Sequence, residues 1–265
     1  IMIVRESNRL LGVRVVGDVI WYFSKRIILK AIYEAAFKDI CSNKQVKTLY
    51  TGNKEDRYAM LEYKSTIKKR KELICIPHGL EYSFKFPRGV AGDVFFSTSE
   101  TAALYLNNSY HLDKFIYDKG IMKLILSRKN TNIKNRKIVY FSESRDIHVN
   151  IDIVNILYQS GIDFSIKLHP KDKQKNYHKL DFYIHFMDSF DEAISNNICV
   201  ARKSTVLIEA LFNNSYSIAY LENSKDKYYA KNVFPSLNSE NIKHVFSALE
   251  LIEEIRLLKG FIDDV

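Results

Sequence analysis

Two segments of the sequence carry side chains that could hold a phosphate group. In the first, the apolar run 164–168 ends in His169-Pro170, and in the second the pair Ser204-Thr205 opens a predicted helix, 35 positions after His169 (204 − 169). An imidazole can donate a hydrogen bond to a phosphate oxygen and stabilise the charge that grows as a nucleotide departs. Pro170 fixes the backbone and turns the chain away. The two segments together indicate a nucleotide-activated donor.

The Ser204-Thr205 pair has two interpretations. Both residues are good N-cap residues for a helix over residues 205–213, so a structural cap is the simpler one. A helix N-terminus also presents free N–H groups to an anion, and Lys203, immediately before the pair, adds positive charge. The second interpretation makes the pair part of a phosphate site.

Ligands of open α/β sheets bind beyond the carboxyl ends of the strands. His169 and Ser204 each follow a predicted strand, at residues 164–168 and 198–201. We expect these two strands to be neighbours in one sheet, which would bring both edges to one phosphate. Glu209, inside the helix after Ser204, could accept hydrogen bonds from ribose hydroxyls or could simply be solvated.

The general base has four candidates in two loops. In the first half of the chain a predicted strand ends in a His-Gly turn, and either His78 or Glu81 could enter an interdomain cleft there as a base. In the second half, Glu143 and Asp146 follow a predicted strand and would face the same cleft. The alternatives are a His78 that only bonds its own turn and an exposed polar loop at Glu143 and Asp146.

Strand-length apolar runs alternate with helix-length amphipathic ones, which predicts an α/β fold with parallel sheets. We expect two Rossmann-like domains with a cleft between them: an N-terminal acceptor domain over residues 1–120, a polar linker over 121–136 and a C-terminal nucleotide-sugar domain over 137–265. Position 1 is Ile instead of Met, so we expect the first domain to lack some natural N-terminal sequence. The chain has neither GxGxxG nor GxxxxGK[ST], which leaves phosphate binding to side chains and helix ends.

The net charge of +9, from 40 Lys+Arg and 31 Asp+Glu, favours anionic partners. The cations are scattered apart from a cluster at residues 68–71, so an anionic sugar nucleotide or an anionic membrane surface explains the charge better than a nucleic acid. The three cysteines contain no CxxC and suggest neither a zinc site nor a disulfide framework.

No apolar stretch is long enough for a bilayer span, and no signal peptide opens the chain. We expect a cytoplasmic protein, with peripheral contact with the inner face of an anionic membrane left open. The amphipathic stretch 21–41 is the segment that could make such contact, although we expect it to pack within the first domain.

The sequence resembles the GT-B glycosyltransferases of bacterial surface polysaccharide synthesis. The resemblance rests on the His-Gly loop at His78, on His169-Pro170 and on a Ser204-Thr205 pair whose helix continues into Glu-Ala. The most similar members are bacterial sialyltransferases and polysialyltransferases, which use CMP-sialic acid and share His-Pro and Ser-Ser/Thr motifs. The resemblance covers the second predicted domain well and the first only around residues 50–99.

The resemblance implies an inverting transfer of a sialic-acid-type sugar from a CMP-activated donor to a cell-surface glycan, such as lipooligosaccharide or capsule. By that similarity His169 contacts the donor phosphate and assists CMP departure, while Ser204 and Thr205 hold the phosphate. The family's acidic base lies in a short acidic motif ending in Gly, which this chain lacks, and Glu143 and Asp146 are its best substitutes. The chain also has no DxD motif, so we expect transfer without a metal or another cofactor.

Three other functions stay open at this point. The His-Gly and His-Pro combination also resembles the CDP-glycerol glycerophosphotransferases of teichoic-acid synthesis, in which His78 would be the base and the transferred group a polyol phosphate. The chain could instead be a non-catalytic module that binds an anion or a partner, because a fold alone does not establish chemistry. The third function is nucleic-acid binding, which would need exposed aromatic side chains on a basic face. Most of the aromatic residues instead fall in predicted strands and core-facing helix positions.

Overall fold

The computed structural model describes residues 17–52, 58–76, 79–83, 92–128 and 136–263. The fold is mixed α/β, as predicted, with a four-stranded and a six-stranded sheet. Contacts divide the chain into two compact units: residues 1–76 with 86–95 form the first unit, and residues 77–85 with 96–265 form the second. The predicted boundary at 121–136 and the two-domain GT-B arrangement stay predictions.

The four-stranded sheet has the order β1-β2-β3-β4, and β1 to β3 pair in parallel. The elements in this part of the chain are α1 (Gly17–Ser42), β1 (Thr48–Thr51), α2 (Ala59–Lys69), β2 (Glu72–Cys75), β3 (Val94–Phe96), α3 (Glu100–Tyr110), β4 (Phe115–Ile116) and α4 (Lys119–Leu126). Residues 121–126, which the sequence predicted as the start of a linker, therefore belong to a helix. Its N-terminus is capped by the Asp118 carboxylate, which accepts the Ile121 N–H at 2.8 Å.

The C-terminal part of α1 packs into the first unit, as predicted. Phe37 and Cys41 are buried against Leu73 of β2. Trp21 is 75 % exposed and Ile32 is 61 % exposed. No helix in the described part of the chain is both long and apolar enough to cross a bilayer.

Gly92 is a position where the backbone demands glycine. Its φ is +70°, and a Cβ there would lie 2.5 Å from the carbonyl oxygen of Leu73. We expect Gly92→Ala to lower the free energy of unfolding by more than Gly161→Ala, because Gly161 has a similar φ of +68° but open space around it. The Gly161 change should cost only the left-handed conformation, about 1–2 kcal/mol. Urea denaturation followed by circular dichroism measures both variants, and equal losses would contradict the steric argument.

The second unit is built on the six-stranded sheet, whose order is β10-β9-β8-β5-β6-β7 and whose paired strands are all parallel. Its strands are β5 (Ile138–Phe141), β6 (Phe164–Lys167), β7 (His185–Phe186), β8 (Ile198–Ala201), β9 (Tyr216–Tyr220) and β10 (Ile242–Val245). Its further helices are α5 (Ile147–Gln159), α6 (Phe190–Ile194), α7 (Val206–Leu211), α8 (Ser224–Asn232) and α9 (Ala248–Asp263), with short 3₁₀ turns at Gln174–Tyr177 and Pro235–Asn238.

Helices cover both faces of this sheet, so its central strands are apolar at every position. In β5, Val139 and Phe141 belong to the core that α6, α7 and α8 close. Ile138 and Tyr140 belong to the opposite core, which α5 and α9 close. Parallel strands buried on both faces are expected to be continuously apolar instead of alternating. This explains why strand-length apolar runs were a usable signal in this half of the sequence.

The predicted adjacency of the strands before His169 and Ser204 is wrong, because β5 lies between β6 and β8. From β5 the chain proceeds outward to β6 and β7, returns to the other side of β5 with β8, and continues outward to β9 and β10. This is the doubly wound order, in which the chain reverses between β5 and β8. Ligands of such sheets bind at that reversal, beyond the carboxyl ends of the strands.

Candidate functional site

His169 lies just beyond the carboxyl end of β6 and is half-buried. Its backbone N–H donates to Ser142 Oγ at 3.1 Å, and its carbonyl accepts the Asp172 N–H at 2.8 Å. Its ring Nδ1 lies 3.1 Å from the Lys171 backbone nitrogen and accepts that N–H. The neutral ring therefore carries its proton on Nε2, which forms no hydrogen bond within the described residues. The loop presents an imidazole N–H donor at the edge of the sheet.

The turn that holds His169 is tied down by a buried carboxylate. Asp172 accepts the Lys173 N–H at 2.8 Å, the Asn176 side-chain amide at 2.7 Å and the Tyr177 hydroxyl at 2.7 Å. Burial, followed by the hydrogen bond to Asp172, raises the pKa of Tyr177 well above its usual range. Because the tyrosine keeps its proton, this bond persists at all physiological pH values. The direction of the His169 ring is thus set before any ligand arrives.

The Ser204-Thr205 pair begins a helix, but a shorter one than predicted. α7 has six residues, and its N-cap residue Thr205 has helical dihedrals and no side-chain cap bond. Ser204 Oγ accepts only a long contact, 3.4 Å, from the Val206 N–H. The two hydroxyls therefore contribute little to capping the helix and can still bind a ligand. A helix of six residues has only a small dipole to attract an anion. We expect any anion here to depend on the hydroxyls more than on the helix.

Arg202 and Lys203, which join β8 to that pair, form a buried ion-pair cluster. Arg202 is 1 % exposed, and its Nε and Nη2 lie 2.5 and 3.1 Å from the carboxylate oxygens of Asp226 on α8. Lys203 Nζ lies 2.6 Å from Asp226 and 3.0 Å from Glu143. The Lys203 N–H also donates to Glu143, at 3.2 Å. These contacts join the loops after β5 and β8 at the chain reversal.

Asp146 and Lys225 complete the cluster. Asp146 lies 3.4 Å from Arg202 and 3.1 Å from Lys225, so the cluster holds three cations and three carboxylates. The hydrogen bond from Lys225 is the main cause that lowers the pKa of Asp146, with Arg202 adding to it against some burial. Burial alone would raise the pKa of Asp226, but the hydrogen bonds from Arg202 and Lys203 outweigh it and lower that pKa. Asp226, in the first turn of α8, was not among the residues singled out in the sequence.

The ion pairs change the interpretation of the two acidic base candidates in this loop. A carboxylate that is stabilised as an anion by neighbouring cations takes up a proton less readily, so Asp146 is a weak base. Glu143 is engaged by Lys203 and lies 3.4 Å from Arg202 Nη1. Both carboxylates neutralise the cations before the Ser204-Thr205 pair. The sequence could not show this, because the partners lie in loops after different strands.

The lowered pKa of Asp146 gives a prediction for stability against pH. Above the ordinary pKa of 3.8 the Asp146 carboxylate stabilises the folded state fully, and this contribution disappears as pH falls through the lowered folded-state pKa. Asp146→Asn should therefore be less stable than the unchanged protein at pH 7, and the difference should shrink as the pH falls below 3.8. Asn tolerates the φ of 55° at this position, so the change tests charge alone.

Urea denaturation at several pH values measures this difference. Asp163→Asn, which removes an exposed carboxylate without an ion pair among the described residues, is the control. A difference between Asp146→Asn and the unchanged protein that stays constant down to acid pH would show that the charge of Asp146 contributes nothing.

The remaining predicted site residues have other surroundings. Glu81 is 2 % exposed, and its carboxylate accepts the backbone N–H and hydroxyl of Thr98 and the hydroxyl of Ser236. Glu209 is bound at 2.8 Å by Arg128, and its pKa is raised by burial, which the charge of Arg128 only partly offsets. Both carboxylates are thus held by side chains of the second unit. His78 lies outside the described residues.

The structure brings His169, Ser142 and the loop after β8 to one edge of the sheet. Because β5 lies between β6 and β8, the ends of the strands before His169 and Ser204 are two strand spacings apart, about 10 Å. A phosphate between an extended imidazole and a hydroxyl can bridge that separation. Pro170 is exposed at the turn.

Within the described residues, no group of three or more His, Cys, Asp or Glu side chains is arranged to hold a metal ion. No protein-family model matches the chain, and no curated protein matches it significantly.

Proposed function

We propose that this protein is an inverting glycosyltransferase that works without a metal and moves a sialic-acid-type sugar from a CMP-activated donor to a cell-surface glycan. The observation that carries the proposal is the His169 imidazole, whose Nδ1 accepts the Lys171 N–H so that Nε2–H is available at the carboxyl edge of a doubly wound sheet. A fixed donor aimed at a site where negative charge develops is an effective way to stabilise a departing phosphate.

In the proposed step, an acceptor hydroxyl oxygen attacks the anomeric carbon of the donor sugar in line with the leaving group. The bond from that carbon to the phosphate oxygen breaks, and its electron pair stays on the CMP phosphate. His169 donates its Nε2–H to that phosphate, and the hydroxyls of Ser204 and Thr205 donate from the other side. Holding the two reactants in this alignment supplies much of the rate enhancement.

We assign the general base of this proposal to His78. Glu143 and Asp146 are ion-paired, and Glu81 is buried among three hydrogen-bond donors. An imidazole has a basicity suited to accepting the hydroxyl proton near neutral pH. His78 is also the proposed base of the polyol phosphotransferase alternative, in which CMP is again the leaving group.

The experiment compares donors directly. The purified protein is incubated with CMP-sialic acid or with CDP-glycerol, with lactose as acceptor, in buffer containing a chelator, and released CMP is measured. The proposal expects CMP from CMP-sialic acid at an undiminished rate in chelator. Release from CDP-glycerol alone would select the polyol phosphotransferase, and release from neither donor, with no binding of CMP, would favour a non-catalytic module. Loss of activity in chelator and its return with manganese would contradict the proposed mechanism.

A further inference from the structure

A cavity of about 830 Å³ lies in the second unit, at the opposite edge of the six-stranded sheet from His169. Residues at the start of β9 and just before β10 line it, together with the N-terminus of α3 and the C-terminal end of α7. The five residues of β9 separate this amino-terminal edge from the carboxyl edge by about 16 Å. Its volume falls within the range of about 300–1,000 Å³ that small-molecule sites occupy.

Part of the cavity lining is apolar and aromatic. Leu211 and Phe212 contribute from the end of α7, Leu104 from α3 and Tyr117 from the segment before α4. Leu104 is 59 % exposed, which is a large exposed fraction for an apolar residue on a helix. These side chains offer flat, partly desolvated surface to a ligand.

The lining also includes charged groups of both signs. Glu100, Lys119 and Glu240 line the cavity, and none of them forms an ion pair with another described residue. The pKa of Tyr117 is raised by burial and then by the nearby carboxylates of Glu100 and Asp118, so its hydroxyl is protonated and can donate. The cavity lining therefore offers carboxylate acceptors, an ammonium donor and a phenol.

We propose that this cavity binds an uncharged oligosaccharide. Sugar rings have C–H faces that pack on aromatic and aliphatic side chains, and hydroxyls that both donate to carboxylates and accept from an ammonium or a phenol. A purely apolar ligand would make no hydrogen bonds with Glu100, Lys119 and Glu240, which are exposed and would lose part of their hydration. Among the described lining residues, an anionic ligand would meet two carboxylates and one cation. This cavity is separate from the proposed donor site, because it lies at the other edge of the sheet.

Saturation-transfer NMR tests the proposal with lactose and maltotriose as probes and no nucleotide donor present. We expect saturation transfer to the protons of both sugars at millimolar concentration. Tyr117→Ala should weaken binding about tenfold, and Tyr228→Ala, which removes a 60 % exposed tyrosine outside the cavity, should leave it unchanged. Glu240→Gln changes an exposed side chain and should also weaken binding, which provides a second test if Tyr117→Ala fails to fold.

Three results would overturn the proposal. One is the absence of transfer to either sugar, and another is binding that neither Tyr117→Ala nor Glu240→Gln affects. The third is a preference for sialyllactose over lactose that Lys119→Ala abolishes, because it would show an anion site. Lactose is also the acceptor in the transfer assay, so the effects of Tyr117→Ala and Glu240→Gln, and the binding of maltotriose, separate this cavity from an acceptor site. Since no donor is present, failure of the proposed glycosyl transfer would leave these effects unchanged.

Discussion

Replacing His169 with Ala is expected to lower the turnover number for CMP release about 10²–10⁴-fold while leaving the fold intact. The reason is that Nε2–H is an oriented imidazole donor at the carboxyl edge, because Nδ1 on the other side of the ring accepts the Lys171 N–H. The side chain is only half-buried, so its loss should cost little stability. Steady-state kinetics with CMP-sialic acid, together with circular dichroism of the variant, measures both effects.

Two further variants test whether His169 acts as a hydrogen-bond donor or only positions its turn. His169→Asn keeps a side-chain oxygen that can accept the Lys171 N–H, but its side chain is too short to place a donor where Nε2 lies. We therefore expect it to be as inactive as His169→Ala. His178→Ala removes an exposed histidine from the same segment and should retain full activity. Activity in His169→Asn near that of the unchanged protein would show that His169 only shapes its turn.

Asp226→Ala is expected to lower the free energy of unfolding by about 3–5 kcal/mol. It leaves Arg202, 1 % exposed, without its closest partner, and it takes one of two carboxylates from Lys203. An uncompensated buried charge is far more costly than the net value of the pair suggests. Urea denaturation followed by circular dichroism measures the loss.

A double variant shows whether unpaired charge is the cause. Arg202→Met with Asp226→Leu removes both members of the innermost pair and leaves Lys203 with Glu143 and Lys225 with Asp146. Because a buried pair can often be replaced by apolar residues at little cost, we expect it to regain most of the stability lost in Asp226→Ala. Lys243→Ala, at an exposed ion pair, should cost less than about 1 kcal/mol. A double variant as unstable as Asp226→Ala would mean that shape, and not charge, makes this cluster essential.

The sequence predicted the elements of the second unit better than their arrangement. Apolar runs such as β5 and β8 stood out because both faces of the sheet are covered. The position of His169 beyond β6 followed from Pro170. The order of the strands could not be predicted from adjacency in the chain, because the crossover after β7 places β8 on the far side of β5.

The candidate site was predictable only in part, for an electrostatic reason. A single charged residue in a sequence has no visible partner, and Arg202 and Asp226 are 24 positions apart and on different elements. Glu143 and Asp146 therefore appeared free to act as bases when they are in fact bound to cations. The same limit applied to Glu209, whose partner Arg128 lies 81 positions away.

The most direct test of the proposed function is a crystal structure of the protein with CMP. We expect the phosphate to bind at the chain reversal of the six-stranded sheet. His169 Nε2 should lie within hydrogen-bond distance of one phosphate oxygen, and the Ser204 or Thr205 hydroxyl within hydrogen-bond distance of another. CMP bound elsewhere, or an imidazole of His169 that points away from the bound phosphate, would contradict it.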